Sequence, residues 1–180
     1  IENGYMFAKS AIKEKISGSD FFPQLCSMCA KNGYSIFILG AGKGIAEIAA
    51  NNLCQKFHGL RIVGTYSPPI GFEKDRKELL KIAGMVKKAS PDIFAVSLGS
   101  PKGEKFIYRH LKEYGVSLGI SIGATIDFEA GNVKRAPKWM ADHGLEWLFR
   151  ITQDPKRLIK RYWNDAVNIV PIIRKYKNKG

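Results

Sequence analysis

The sequence predicts an α/β fold, a parallel Rossmann-like sheet flanked by helices, with a basic helical appendage at its C-terminal end. Three observations predict it. Short apolar runs of strand length alternate with amphipathic stretches of helix length, the pattern of βαβ units with right-handed crossovers. The runs close on glycine- or proline-marked turns, as at Gly40, Gly99 and Gly123. From Asn132 onward the pattern is helical only, and positive charge gathers there.

The elements follow in order. Apolar residues between Ile1 and Lys15 suggest a helix without a clear cap. Ser19 or Asp20 is placed to cap a helix over Phe21–Lys31, which Asn32-Gly33 ends. Tyr34–Leu39 is the first strand, and Gly40-Ala41-Gly42-Lys43-Gly44 turns it into a helix over Ile45–Phe57. Arg61–Tyr66 is the second strand, followed by a loop, Ser67–Gly71, that Phe72 closes onto the core. Glu73–Lys88 is amphipathic, with Leu79, Leu80, Ile82, Ala83 and Val86 on its inner face. Ile93–Leu98 is the third strand, a helix runs from Lys102 to Tyr114, and Val116–Ile122 is the fourth strand. The expected division is an α/β domain over 1–153 and a basic amphipathic appendage over 154–180.

Composition narrows the function classes. The chain has 180 residues, 45% of them hydrophobic, enough to bury one domain core. No apolar run approaches the ~20 residues that cross a bilayer. The first residues, Ile1-Glu2-Asn3-Gly4, show neither an initiator Met nor a leader pattern, so residues are expected to precede Ile1. Cys26, Cys29 and Cys54 lack a paired framework and read as reduced thiols packed by helices rather than as a zinc or redox site. His58, His110 and His143 have no ligand spacing, and no metal is expected. The net charge of +13 calls for an anionic partner, and +8 of it lies between Lys134 and Gly180. A nucleic acid, phosphates or an acidic membrane surface would each satisfy it.

The turns carry the candidate chemistry. Gly40-x-Gly42-x-Gly44 is neither a Walker loop nor a Gly-x-Gly-x-x-Gly fingerprint, and Thr65-Tyr66 stands where a dinucleotide site wants an acid. It offers backbone N–H groups at a helix start, or simply close strand-to-helix packing. Gly99-Ser100-Pro101-Lys102-Gly103-Glu104 offers N–H groups, a hydroxyl and an ammonium beside a helix start, equipment that suits a diphosphate leaving group. Asp127, between Gly123 and Gly131, sits just past the carboxyl end of a strand, where open α/β sheets place ligand contacts. It could equally cap the helix that follows. Beyond Asp154 an apolar stripe (Leu158, Ile159, Tyr162, Trp163, Ala166, Val167, Val170, Ile173) is edged by Lys156, Arg157, Lys160 and Arg161 and interrupted at Pro171. It suits packing on its own domain or a partner subunit, or lying in a membrane interface.

The run Gly131–Tyr162, with Lys134-Arg135-Ala136-Pro137, Trp139, Gly144-Leu145-Glu146-Trp147-Leu148, Arg150 and Asp154-Pro155-x-Arg157-Leu158, resembles the WecG/TagA/CpsF glycosyltransferase family. Ser17-Gly18-Ser19-Asp20, Phe37–Gly40, Gly99-Ser100-Pro101-Lys102 and Ile126-Asp127-Phe128-x-Ala130-Gly131 extend the resemblance in the same order. The resemblance implies a metal-independent, inverting transfer of an N-acetylmannosamine-type sugar. The implied donor is a UDP-sugar, and the implied acceptor is N-acetylglucosamine on undecaprenyl diphosphate. It implies UDP-sugar contacts at Gly40, Gly42, Gly99, Ser100, Pro101, Lys102, Glu104, Gly123 and Asp127, with Asp127 at the nucleobase. It implies acceptor-diphosphate or membrane contacts at Arg150, Arg157, Lys160 and Arg161. No cofactor is expected. The expected location is cytoplasmic, peripheral on the inner face of the plasma membrane, with an anionic membrane surface as partner, no nucleic acid, and a homo-oligomer among the possible states. Two departures stand out. Gly103 occupies the place of a family Gln, and no residue matches the family's general base cleanly, Glu2-Asn3-Gly4 being nearest. The alternative reading is a basic α/β protein that binds nucleic acid without this activity.

Overall fold

The computed structural model describes residues 18–137, 139–140, 143, 145–153, 155, 158–159, 163–165 and 167–171, with backbone alone for 146, 147 and 150. The chain divides into two units, Ile16–Val133 and one that takes in Lys134–Gly180. Each is described by itself.

In the first unit the elements run α1 (Gly18–Asn32), β1 (Ser35–Gly40), α2 (Ile45–Lys56), β2 (Arg61–Tyr66), a 3₁₀ turn (Phe72–Lys74), α3 (Arg76–Ala89), β3 (Ile93–Ser97), α4 (Lys102–Tyr114), β4 (Leu118–Ser121) and α5 (Thr125–Glu129). The four strands form one parallel sheet in the order β2-β1-β3-β4. This is the expected α/β architecture. β1 and β3 are central and wholly buried, which explains why Ser-Ile-Phe-Ile-Leu-Gly and Ile-Phe-Ala-Val-Ser are nearly continuous apolar runs. β2 and β4 are the outer strands of this sheet, and each keeps partly exposed positions.

Helices cover both faces. On one, Phe22, Leu25, Cys26 and Cys29 of α1 and Ala46, Ala49, Ala50 and Leu53 of α2 meet Ile36, Ile38, Ile93 and Ala95 of the strands. On the other, Ile82, Ala83 and Val86 of α3 and Phe106 and Tyr114 of α4 meet Phe37, Leu39, Phe94 and Val96. The alternation of side chains along β1 and β3 feeds both cores at once. The three cysteines are free thiols, and burial, with Cys29 next, pushes Cys26 up to about 12.

Several local expectations shift. Asp75, not Glu73, begins the third helix: its side chain accepts a hydrogen bond from Lys77 N, and Phe72–Lys74 is a separate 3₁₀ turn. Leu80 is 60% exposed, because the buried row of α3 is Ile82, Ala83 and Val86, and Leu80 falls outside it. Ser19 and Asp20 lie inside α1 rather than ahead of it. Phe72 is buried, closing the loop after β2 as expected. Gly33 has φ +74°, the left-handed stop expected after Asn32.

The second unit contains α6 (Glu146–Gln153). The Gln153 side-chain amide pairs with the backbone of one residue, accepting from Lys134 N at 3.0 Å and donating to Lys134 O at 3.0 Å. The expected helix over Ile1–Lys15, Glu2-Asn3-Gly4, and Arg157, Lys160 and Arg161 lie outside the described residues, as does the Arg150 side chain.

Candidate functional site

The strand order fixes where a site can form. The chain leaves β1 toward β2 on one side and returns to β3 on the other, so the turns after β1 and β3 part at a topological switch point. Those turns are Gly40–Gly44 and Gly99–Lys102, two of the three predicted from the sequence.

Their approach is close enough to exclude any other residue at Gly40. Its φ is +111°, and a Cβ there would lie 2.3 Å from the Ser97 carbonyl oxygen. Ala41 N donates to that same carbonyl at 3.0 Å. The Ser97 hydroxyl, in a buried residue, donates to the Gly123 carbonyl at 2.5 Å. One serine at the end of β3 thereby ties the turn after β1 to the turn after β4. Ser67 does the same for the turn after β2, its hydroxyl lying 3.1 Å from both Gly40 O and Gly42 O. Four turns converge on one edge of the sheet, and hydrogen bonds hold them in register.

The donor groups on this edge include backbone N–H groups and the ammoniums of Lys43 and Lys102. The N–H groups of Gly42, Lys43 and Gly44, and those of Lys102 and Glu104 at the start of α4, bond no other backbone group among the described residues. Helix starts of this kind favour anions. Lys102 Nζ lies 3.1 Å from Glu73 Oε1, an ion pair that spans the turns after β2 and β3. A hydrogen bond from Glu73's own backbone, then the Lys102 ammonium, lowers the Glu73 carboxyl against the opposing effect of burial.

Asp127 is half-buried in the first turn of α5. It does not cap a following helix: Ala124 occupies the N-cap, and Asp127 Oδ1 accepts a long 3.3 Å bond from Asn132 Nδ2. The backbone carbonyl of Asp127 accepts from Asn132 N and Val133 N, closing the turn at Gly131. Thr125, buried, bonds Ile122 O through its hydroxyl at 2.6 Å, which anchors α5 to the end of β4.

Gly103 is buried where α4 crosses β4, and a Cβ there would lie 2.6 Å from Ser121 Oγ. Close packing of helix on strand therefore accounts for glycine at this position. Glu104 lines an open, mainly apolar groove of about 490 Å³ between α4 and β4, together with Ile107, Tyr108, Leu111 and Gly119. That groove runs along the outer strand and contains none of Gly40, Lys102 or Asp127.

The sequence reading missed Ser97, Ser67 and Glu73. Ser97 had a signal, a polar residue closing an otherwise apolar buried strand. Ser67 and Glu73 look like ordinary loop residues until the strand order is known.

The model of the glycosyl transferase WecG/TagA/CpsF family matches residues 4–180. The chain belongs to that family. It is 35% identical over 170 residues to the N-acetylglucosaminyldiphosphoundecaprenol N-acetyl-beta-D-mannosaminyltransferase of Bacillus subtilis (strain 168), covering 93% of this chain and 63% of the relative. It is 34% identical over 148 residues to the protein of the same name from Bacillus spizizenii (strain ATCC 23059 / NRRL B-14472 / W23), covering 81% of this chain and 54% of the relative. The chain thus spans less than two thirds of the length of these relatives.

Proposed function

We propose that this chain is the nucleotide-sugar-binding part of an inverting, metal-independent glycosyltransferase. Its donor is a UDP-linked N-acetylmannosamine-type sugar, and its acceptor is N-acetylglucosamine on undecaprenyl diphosphate. The observation that carries the reading is the convergence of the turns at Gly40–Gly44, Gly99–Lys102 and Gly123–Asp127 on one sheet edge, in a chain of this family. Asp127 supplies a carboxylate able to accept the uracil N–H. The N–H groups at the start of α4, with Lys102 once it leaves Glu73, stabilise charge on the departing diphosphate. Ser100 and Pro101 shape that turn, and the glycines at 40, 42, 99 and 123 let backbone approach the ligand.

Membrane docking by the C-terminal unit belongs to the same proposal. Trp139, Leu148, Ile159, Trp163, Val167 and Val170 are all exposed there, an apolar surface that a nucleic-acid-binding tail does not need. Among the described residues no helix is long and apolar enough to cross a membrane, so contact would be interfacial. Arg150, Arg157, Lys160 and Arg161 are the proposed cations for the acceptor diphosphate and the anionic leaflet.

Parallel thermal shifts test the reading. UDP and anionic vesicles are expected to raise the unfolding temperature or broaden the transition, and duplex DNA to leave it unchanged. Stabilisation by DNA alone, steeply reduced by salt, would replace this reading with the nucleic-acid one.

A further inference from the structure

The loop Ser67–Gly71 presents an isoleucine that is not buried against any element among the described residues. Ile70 is fully exposed, although the loop around it is tightly held. Ser67 fixes its start on Gly40 and Gly42, and Pro68 and Pro69 restrict its backbone. Phe72 N donates to Pro69 O at 3.2 Å, and the Phe72 ring, 4% exposed, plugs its end into the core. A loop anchored so firmly on both sides could have turned Ile70 inward, yet it holds the side chain out. Scattered exposed apolar residues are ordinary on protein surfaces. This one differs in its rigid presentation and in its surroundings.

Those surroundings are basic. Lys43 follows the Gly42 carbonyl that Ser67 grips, and Lys74, Arg76 and Lys77 follow the loop itself; all four are exposed. None of them forms an ion pair among the described residues. Of the carboxylates in this stretch, Glu73 pairs with Lys102 and also lies in the field of Lys74. Glu78 lies 3.8 Å from Lys81, and Asp75 accepts from Lys77 N and keeps its charge. The rim of the candidate site therefore carries a net excess of positive charge around one apolar tip.

We infer that the Ser67–Gly71 loop is a second membrane contact: Ile70 enters the headgroup layer of an anionic bilayer while Lys43, Lys74, Arg76 and Lys77 meet its phosphates. The reason for it rests on the proposed lipid-linked acceptor. A diphosphate attached to a polyprenyl chain lies at the bilayer surface, so the mouth that receives it must face that surface. A basic rim with an apolar tip, tied by Ser67 to the site's first turn, brings the mouth there and sets its orientation. This contact lies on the Ile16–Val133 unit and is distinct from the C-terminal one.

The test uses the full chain and vesicles without acceptor, either equimolar phosphatidylglycerol and phosphatidylcholine or phosphatidylcholine alone. An environment-sensitive fluorophore is placed on Ile70→Cys in a Cys54→Ser background, Cys26 and Cys29 being fully buried. The expected result is a blue shift, with shielding from an aqueous quencher, on the anionic vesicles only. Unlabelled Ile70→Ser should partition onto them roughly fivefold to tenfold less, with an unchanged unfolding temperature. Unaltered emission while the chain is vesicle-bound, unaltered partitioning of Ile70→Ser, or the same blue shift with duplex DNA instead of vesicles would each overturn the inference. Because the vesicles lack acceptor, a chain that shows the shift but transfers no sugar would count against the proposed activity alone. A chain that transfers sugar without the shift would count against the loop contact alone.

Discussion

Lys102 Nζ lies 3.1 Å from Glu73 Oε1, so the ammonium expected to meet the donor diphosphate is held by a carboxylate from the neighbouring turn. The pair is largely exposed on the lysine side, and pairs of that kind contribute about 0–1 kcal/mol. A ligand with two phosphates can displace Glu73 at that cost. Glu73→Gln is therefore expected to tighten UDP binding up to about fivefold, read by calorimetry at low salt. Weakened binding would mean instead that Glu73 aims Lys102 at the ligand.

Ser97 joins the turns, and its loss should be felt at the site as well as in stability. Ser97→Ala leaves the Gly123 carbonyl without its 2.5 Å partner in a buried setting, a loss of about 1–3 kcal/mol. The unfolding temperature should fall and UDP affinity should drop with it. Ser97→Thr, which keeps the hydroxyl, should recover part of both. Unchanged stability in Ser97→Ala would show that the bond contributes little.

At the opposite edge of the sheet, Asp92 links the starts of β3 and β1. Its Oδ2 accepts from Ser35 Oγ and Ser35 N, each at 2.7 Å. The hydroxyl first and then the N–H hold its carboxyl below the usual carboxylate range. A lowered folded value means the unfolded chain takes up the proton first as pH falls. The contribution is present above the unfolded value, about pH 4, and is lost as pH drops through the folded one. Asp92→Asn should lower the unfolding temperature at neutral pH and flatten its fall below about pH 4. Parallel curves for the two proteins would contradict this.

Gly103 and Ser121 should be coupled. Gly103→Ala brings a Cβ to 2.6 Å from Ser121 Oγ and forces that side chain to move. In a Ser121→Ala background the same change should be better tolerated, by about 1 kcal/mol, since the Oγ is gone and the next contact is the Cβ of residue 121 at 3.4 Å. A double-mutant cycle from chemical denaturation measures the term, and strict additivity would remove the steric account.

Much of this was legible in the sequence because local chemistry decided it. Gly40, Gly99 and Gly123 each take positive φ at a strand's end, and the Lys102–Tyr114 helix begins and ends as its proline and glycine dictate. Arg61–Tyr66 is also the strand expected. Leu80 falls outside the core because it adjoins Leu79, and the step of about 100° between neighbours on a helix turns only Leu79 of the pair inward. Asp127 was read as the possible cap of a later helix because Gly123 and Gly131 bracket it symmetrically; the chain instead starts α5 at Thr125. The Ser97, Ser67 and Glu73 contacts were hidden for a different reason. Each joins turns brought together by the order β2-β1-β3-β4, and no local pattern encodes that order.

The central claim is that UDP binds where these turns converge, and titration calorimetry of UDP into the chain and two variants tests it most directly. Asp127→Asn removes the carboxylate proposed for the uracil, and Lys102→Ala removes the ammonium proposed for the diphosphate. Losing a hydrogen bond to a charged group costs about 1.5–3 kcal/mol, so Asp127→Asn should bind roughly tenfold or more weakly. Lys102→Ala should weaken binding several-fold, less because Glu73 already competes for the ammonium. Unchanged UDP affinity in both variants would place the ligand elsewhere and contradict the account.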